Sequence, residues 1–326
     1  MANVQIYPNK NFCYPNDIFS KRLFELSDDD YHKALKERTI LTVTDKRNHR
    51  RFGNVTTRFR IRINETAEFT ITDAFDQFDF AVLCACISEW IKGNRFTTPA
   101  IIYRAITGKV GRGDAEPGKT QLADILHSLN KLMITQIAVN MSDACEYLKY
   151  NNGTDYKVIS AVLPCKRITE ITINGNPVIG TTINGKQTTV ISFNRESPLW
   201  EIACRIKNQQ VLSCDTSLLD VPNITNSRMN IAVKFYVVRR VLEIIAHPRQ
   251  MTPSITFADV FQKCRLTKAN KMTKLRVRKL ITAIFEHLTS LNIIKAYHTN
   301  KNSIEYYSIS FTVAPNAKAK IHKSNL

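Results

Sequence analysis

The chain has 326 residues, 44% of them apolar, and carries 46 Lys and Arg against 28 Asp and Glu, a formal net charge of +18 at pH 7. That length and apolar content predict two packed domains and exclude a chain disordered throughout, and 10 Gly with 11 Pro exclude a collagen-like chain. The cation excess excludes most acidic metabolic enzymes and predicts a polyanionic partner.

Residues 1–16, with two prolines and several asparagines, predict an extended arm. Ser27 before Asp28, Asp29 and Asp30 predicts an N-cap and a short helix finished by Lys33, Lys36 and Arg38. Strands follow over 40–44 and 55–63, joined by a basic connector that gathers Lys46, Arg47, Arg50 and Arg51. The second strand alternates Arg58, Arg60 and Arg62 with Phe59, Ile61 and Ile63, which predicts one basic and one apolar face.

From Asp73 the apolar period changes from 2 to 3.6. A helix over 74–92 places Phe75, Phe78, Val82, Ile87 and Ile91 at helical spacing and ends at Gly93. Thr98 and Pro99 predict an N-cap and first helical position for a second helix that Gly108 closes. A third helix over 119–133 puts Leu122, Ile125, Leu126, Leu129, Leu132 and Met133 on one stripe, leaving Thr120, Gln121, Asp124, His127 and Lys131 outside. It is a candidate recognition helix. Residues 134–194 read as strands of one antiparallel sheet, with hairpin signals at Asn174-Gly175 and Asn184-Gly185. Helix-turn-helix followed by a hairpin is the winged-helix order, here with an enlarged wing.

The order repeats after residues 198–208, with helices from Ser227 to Ala246, within ITFADVFQKC, and over 270–291, then two strands with Lys301 at their turn. In the last helix Val277, Leu280, Ile281, Ile284, Phe285, Leu288 and Leu291 form the core stripe. The expected fold is therefore α+β, two winged-helix domains in tandem. The divisions are an arm with short helix and basic hairpin (1–54), a first domain (55–195), a second (196–312) and a basic disordered tail (313–326). Each half is expected to fold independently of the other.

The octet from Gly113 to Thr120, with Gly118 and Lys119, fits the P-loop pattern letter for letter. A P-loop joins a buried strand to a helix, however, and the preceding YRAITGKVGR reads as a helix end and polar loop. The alternative is that Gly118, Lys119 and Thr120 offer N–H groups and an ammonium to a DNA phosphate. Lys268, Lys271, Lys274, Arg276, Arg278 and Lys279 form a cluster of six cations without an acid. Such runs are often solvated faces, but this one opens the second recognition helix, where bases and phosphates are contacted. For Lys46, Arg47, Arg50 and Arg51, a minor-groove arm and a solvated loop both stand.

The eight cysteines lack any C-x-x-C pair and read as reduced thiols of a cytoplasmic protein. No leader pattern opens the chain, and no apolar run approaches the ~20 residues of a membrane span. Histidines lie singly, and carboxylates are not clustered as in a two-metal nuclease. No catalytic constellation, cofactor or metal site is expected.

The runs DAFDQFDFAVLCACISEWIKGNRFTTPAIIYRAITGK, ADILHSLNKL, LLDVPNITNSRMNIAVKFYVVRRVLEII and RKLITAIFEHLTSLNIIKAY resemble plasmid and phage replication initiators with tandem winged helices, of the Gram-positive type. The resemblance covers residues 55–312 and rests on helix order and loose phrases. It implies a non-enzymatic protein of the bacterial nucleoid whose third helices read origin or operator repeats in double-stranded DNA. It also implies a monomer that shifts to a homodimer, with host helicase and polymerase supplying the chemistry. A transcriptional or partition regulator on the same modules, and an ATP-dependent nucleic-acid enzyme using the P-loop octet, are the alternatives.

Overall fold

The computed structural model describes residues 10–37, 40–45, 55–63, 74–110, 115–140, 157–168, 170–173, 176–179, 182–183, 186–187, 189–205, 211–301 and 306–322. The chain enters through strand β1 (Asn11–Pro15), helices α1 (Ile18–Leu23) and α2 (Asp28–Lys36), and strands β2 (Leu41–Asp45) and β3 (Val55–Ile63). Ser27 caps α2 by accepting from the Asp30 N–H at 3.1 Å, as the Ser-Asp-Asp-Asp run predicts. The arm expected over residues 1–16 is, from Asn11 onward, a strand of the core. Phe12, Cys13 and Tyr14 are all buried, and the Cys13 N–H donates to Ser88 Oγ at 2.8 Å. Side chains apolar on both faces suit a strand covered on both sides rather than a surface arm.

The first helix-turn-helix consists of α3 (Gln77–Ile91), β4 (Phe96–Thr97), α4 (Pro99–Thr107) and α5 (Lys119–Ile134). Asp76 and Asp79 cap α3 reciprocally, each side chain accepting from the other's backbone N–H at 2.9 and 3.0 Å. Thr98 caps α4 with Pro99 in its first turn, and Gly108 closes it at φ 79°. That glycine has no room for a side chain, since an added Cβ would lie 2.3 Å from the Asp220 nitrogen.

The strands that follow do not form the single enlarged sheet expected over 134–194. They are β5 (Thr135–Asn140), β6 (Lys157–Ala161), β7 (Cys165–Ile168), β8 (Glu170–Ile173), β9 (Asn176–Ile179), β10 (Thr182–Ile183), β11 (Lys186–Gln187) and β12 (Val190–Phe193). β5 and β6 extend the hairpin of β2 and β3 into a four-stranded sheet, with Ile137 opposite Ile61, so that hairpin spans the 54/55 division. β7 and β12 join β4 in the order β4-β12-β7 as the wing. β8 with β9 and β10 with β11 are separate pairs flanking Asn174-Gly175 and Asn184-Gly185, which lie outside the described residues. Strand propensity marks a strand without naming its partner, and the partners here come from far along the chain.

The second unit follows α6 (Pro198–Arg205) and β13 (Val211–Asp215). It comprises α7 (Arg228–Ala246), β14 (Ser254–Thr256), α8 (Phe257–Lys263), α9 (Lys271–Ser290), β15 (Ile294–Lys301) and β16 (Tyr306–Val313). Its sheet order, β14-β16-β15, repeats that of the first wing, with the last strand central in both. The fold is thus α+β, two winged helices in tandem. Within the tail expected to be disordered over 313–326, residues 313–322 are ordered. Ala314 and Ala317 are buried, and β17 (Ile321–His322) pairs with β13, whose other edge takes β1 with Tyr14 opposite Leu212.

The two units share one core. Their first helices, α3 and α7, pack on each other, with Phe80 edge-on to Phe235 at 5.4 Å between centroids and Phe12 of β1 on the same ring at 5.9 Å. Every residue of α3 from Gln77 to Glu89 is buried, where its sequence predicted one apolar stripe. Because one hydrophobic cluster continues across residues 195–200, a calorimetric scan is expected to show one cooperative transition. Two separable transitions would contradict this continuity. The seven described cysteines are free thiols, and burial pushes the Cys13 thiol up to about 11.

The core also holds charges. Arg239 of α7 is buried and donates to Glu243 Oε1 at 2.9 Å and to Gln77 Oε1 of α3 at 3.4 Å. Glu243 also pairs with Lys21 at 3.1 Å and Arg240 at 3.3 Å. Burial alone would push its carboxyl up, but Lys21, Arg239 and Arg240 outweigh that and hold it at about 2, against 4.5 for the free side chain. Its folded value is the lower one, so the stabilisation is present above pH 4.5 and is lost as pH falls toward 2. Through that window the wild-type urea midpoint is expected to fall by the equivalent of about 3 kcal/mol from this group. Glu243→Gln should be weaker at neutral pH and show a shallower acid fall. An equal fall in both proteins would point to other carboxylates.

Candidate nucleic-acid interface

Helix α9 begins where Asn270 accepts from the Thr273 N–H at 2.8 Å. Val277, Leu280, Ile281, Ile284, Phe285 and Leu288 are buried as predicted, and Phe285 packs on Phe311 of the wing at 5.6 Å. The opposite face exposes Lys271, Met272, Leu275, Arg276 and Lys279, with Lys268 exposed in the turn before it. Among the described residues, none of Lys268, Lys271, Arg276 or Lys279 forms an ion pair. Their field adds to the positive end of the helix dipole. Lys274 and Arg278 do another job. The Lys274 ammonium lies 5.8 Å from the Phe261 ring and the Arg278 guanidinium 5.6 Å from that of Phe257, so both are half-buried and fasten α9 to α8.

Two grooves flank α9. One, of about 450 Å³, runs between Arg276 and Lys279 and the segment Asn223, Thr225, Ser227 and Asn230. The other, of about 310 Å³, lies between the helix and the wing, lined by Phe257, Leu275, Thr282 and Thr299. The turn into α9 is held from below. Arg265, at φ 58°, donates to the carbonyls of Leu26 and Phe75 at 2.8 Å each and to Asp28 Oδ1 at 2.5 Å. The second helix-turn-helix is thereby tied to α2 and to the start of α3.

Helix α5 matches its predicted role in part. Lys119, Thr120 and His127 are exposed. Gln121 instead turns to the second unit, its Nε2 donating to the Asn226 carbonyl at 3.4 Å, so the α5 N-terminus sits beside the segment lining the larger groove. Leu122, expected in the core, is 37% exposed. Lys131, expected on the DNA-facing side of α5, is internal. It is 1% exposed and donates to Asp79 Oδ2 and to the Ala74 carbonyl at 2.7 Å each, so it cannot reach DNA. The unexplained acid was the available signal, because a buried Asp79 within an apolar helix requires a cation.

The P-loop reading gains no strand. Gly113 lies outside the described residues, and among those described the octet follows α4 and leads into α5 with no strand entering it. Arg104 ties the loop back to α4 by donating to the Ala115 carbonyl at 3.1 Å and pairing with Glu116. Gly118 is the N-cap of α5 without a side-chain bond, which leaves the first N–H groups of that helix open. Lys301 is exposed at the end of β15. Lys46, Arg47, Arg50 and Arg51 lie outside the described residues. Sequence reasoning missed Met272 and Leu275, the segment Asn223–Ser227, and Arg228, whose guanidinium pairs with Asp76 at 2.8 Å and Asp79 at 3.4 Å.

A fold of two winged helices with an unpaired basic face on the third helix of the second defines a class, the tandem winged-helix proteins. No protein-family model matches the chain, and no curated protein matches it in sequence. Among solved structures it is similar to selenomethionine-derivative crystals of domains 2 and 3 of RctB, at 10% identity and a TM-score of 0.37, covering 90% of this chain and 98% of that one. A second structure of RctB domains 2–3 matches at 9% identity and 0.40, covering 86% and 92%. Among the described residues no helix is long and apolar enough to cross a membrane.

Proposed function

We propose that the chain is a sequence-specific double-stranded DNA-binding protein that initiates replication. In this reading it binds origin repeats of a plasmid or phage in the bacterial cytoplasm, as a homodimer, and recruits host helicase or polymerase without performing chemistry itself. The observation that carries the reading is the outward face of α9, where Lys271, Arg276 and Lys279 stand exposed and unpaired on a helix whose opposite side is locked into the core. A third helix presented in this way enters the major groove, and the wing beside it lies along the backbone.

The test is binding to fragments of the element that encodes the protein. Clustered direct repeats among the bound fragments support initiation, whereas a lone inverted repeat at a promoter would make the protein a regulator. On the bound site, log affinity is expected to fall steeply with log salt, at about −0.9 per phosphate contacted, and a flat dependence would remove the DNA reading. Lys119→Ala is expected to weaken binding modestly with no ATP turnover in either protein. Turnover that disappears in the variant would restore the P-loop enzyme.

A further inference from the structure

Large apolar side chains are exposed at few described positions: Ile18, Ile40, Leu122, Met272, Leu275 and Tyr307. Three of these lie on the two third helices, Leu122 on α5 and Met272 and Leu275 on α9, at 58% and 44% exposure for the last two. Met272, Leu275, Arg276 and Lys279 stand at i, i+3, i+4 and i+7, so they share one helical face. That face sets two apolar groups directly beside two cationic ones. A cationic surface attracts a polyanion, and an apolar group within it requires a partner with apolar points set between acceptors.

The major groove meets that requirement, because thymine presents its 5-methyl group there while guanine presents O6 and N7 to Arg and Lys. Met272 and Leu275 are separated by about 4.5 Å along the helix axis, a little more than one base step. Leu275 also stands at the mouth of the groove between α9 and the wing. We propose that Met272 and Leu275 are specificity-determining residues that read the 5-methyl groups of thymines on neighbouring base pairs, beside guanines read by Arg276 and Lys279. This rests on the DNA-binding reading above and adds the base class to it.

The experiment uses the full chain and the duplex that it selects from a random pool. That duplex is remade with deoxyuridine at each thymidine in turn, a change that removes only the methyl. The wild type is expected to lose about fourfold in affinity at one or two positions, the equivalent of one buried methyl each. Met272→Ala and Leu275→Ala should each bind the parent duplex more weakly and lose the response to deoxyuridine at one of those positions. Circular dichroism of both variants should match the wild type, because both side chains are on the surface.

Equal binding of every deoxyuridine duplex by the wild type would overturn the proposal while leaving DNA binding intact. So would variants that keep the full uracil response. If the substitutions instead change only the sedimentation behaviour of the protein, the face is a protein contact and thymine readout is wrong. Selection of no duplex at all removes the DNA-binding reading itself, a different result from any of these.

Discussion

Asp79→Ala is expected to cost about 3 to 5 kcal/mol of stability, the range for removing one partner of a buried ion pair. Asp79 is fully buried and accepts from Lys131 at 2.7 Å while lying 3.4 Å from Arg228. Without it Arg228 retains Asp76, but Lys131 keeps only the Ala74 carbonyl and the face of the Phe75 ring at 5.2 Å, and remains a buried cation with no carboxylate hydrogen-bonded to it. The cost reflects an uncompensated charge more than a missing attraction, so a second substitution that removes the cation should restore much of it. Asp79→Ala combined with Lys131→Met is therefore expected to be markedly more stable than Asp79→Ala alone. Urea midpoints of the three proteins decide the matter, and a cost below about 1 kcal/mol for the single variant would contradict this account of the network. Because Lys131 belongs to α5 and Asp79 to α3, the same pair sets how the first recognition helix is presented.

Replacing Arg276 and Lys279 together with alanine is expected to cost about 1 to 3 kcal/mol of specific affinity for each side chain that reads a base edge, and less for each that meets only a phosphate. The two side chains are exposed and unpaired on a helix anchored by six buried apolar residues, so folding should survive. The matching pair in the first unit is Lys119 and His127, since Lys131 is internal. Replacing that pair should cost less, because the cations are concentrated on α9. Measurement on the preferred site and on random duplex separates the two kinds of interaction. A weakening confined to the preferred site identifies base readout. Equal weakening on both, with the salt slope reduced by about 1.8, identifies two phosphate interactions. Unchanged binding to either DNA would remove α9 from the interface.

The features that could be read in the sequence depend on neighbours within a few residues. Ser27, Thr98 with Pro99, Gly108 and Ser227 begin or end helices where their side chains or backbone freedom predict, because a cap is completed within three residues. The core stripe of α9 was legible for the same reason, since helical periodicity alone separates Val277, Leu280 and Ile284 from Arg276 and Lys279. The order of helices and wing strands followed, and with it the tandem winged-helix class.

Tertiary structure decided whatever depends on a distant partner. A cation at the edge of a helical stripe is solvated or buried according to whether an acid from elsewhere meets it. Lys131 therefore belongs to Asp79, Arg239 to Gln77 and Glu25, and Arg265 to the carbonyls of Leu26 and Phe75. Periodicity likewise cannot show that β1 and α7 cover the second side of α3, or that β17 pairs with β13. Charge and pattern determined that the protein has a basic helix to offer. Which cations remain free on it, and which are held by the core, was decided by burial, because a buried charge persists only where an opposite charge or a ring of acceptors compensates it.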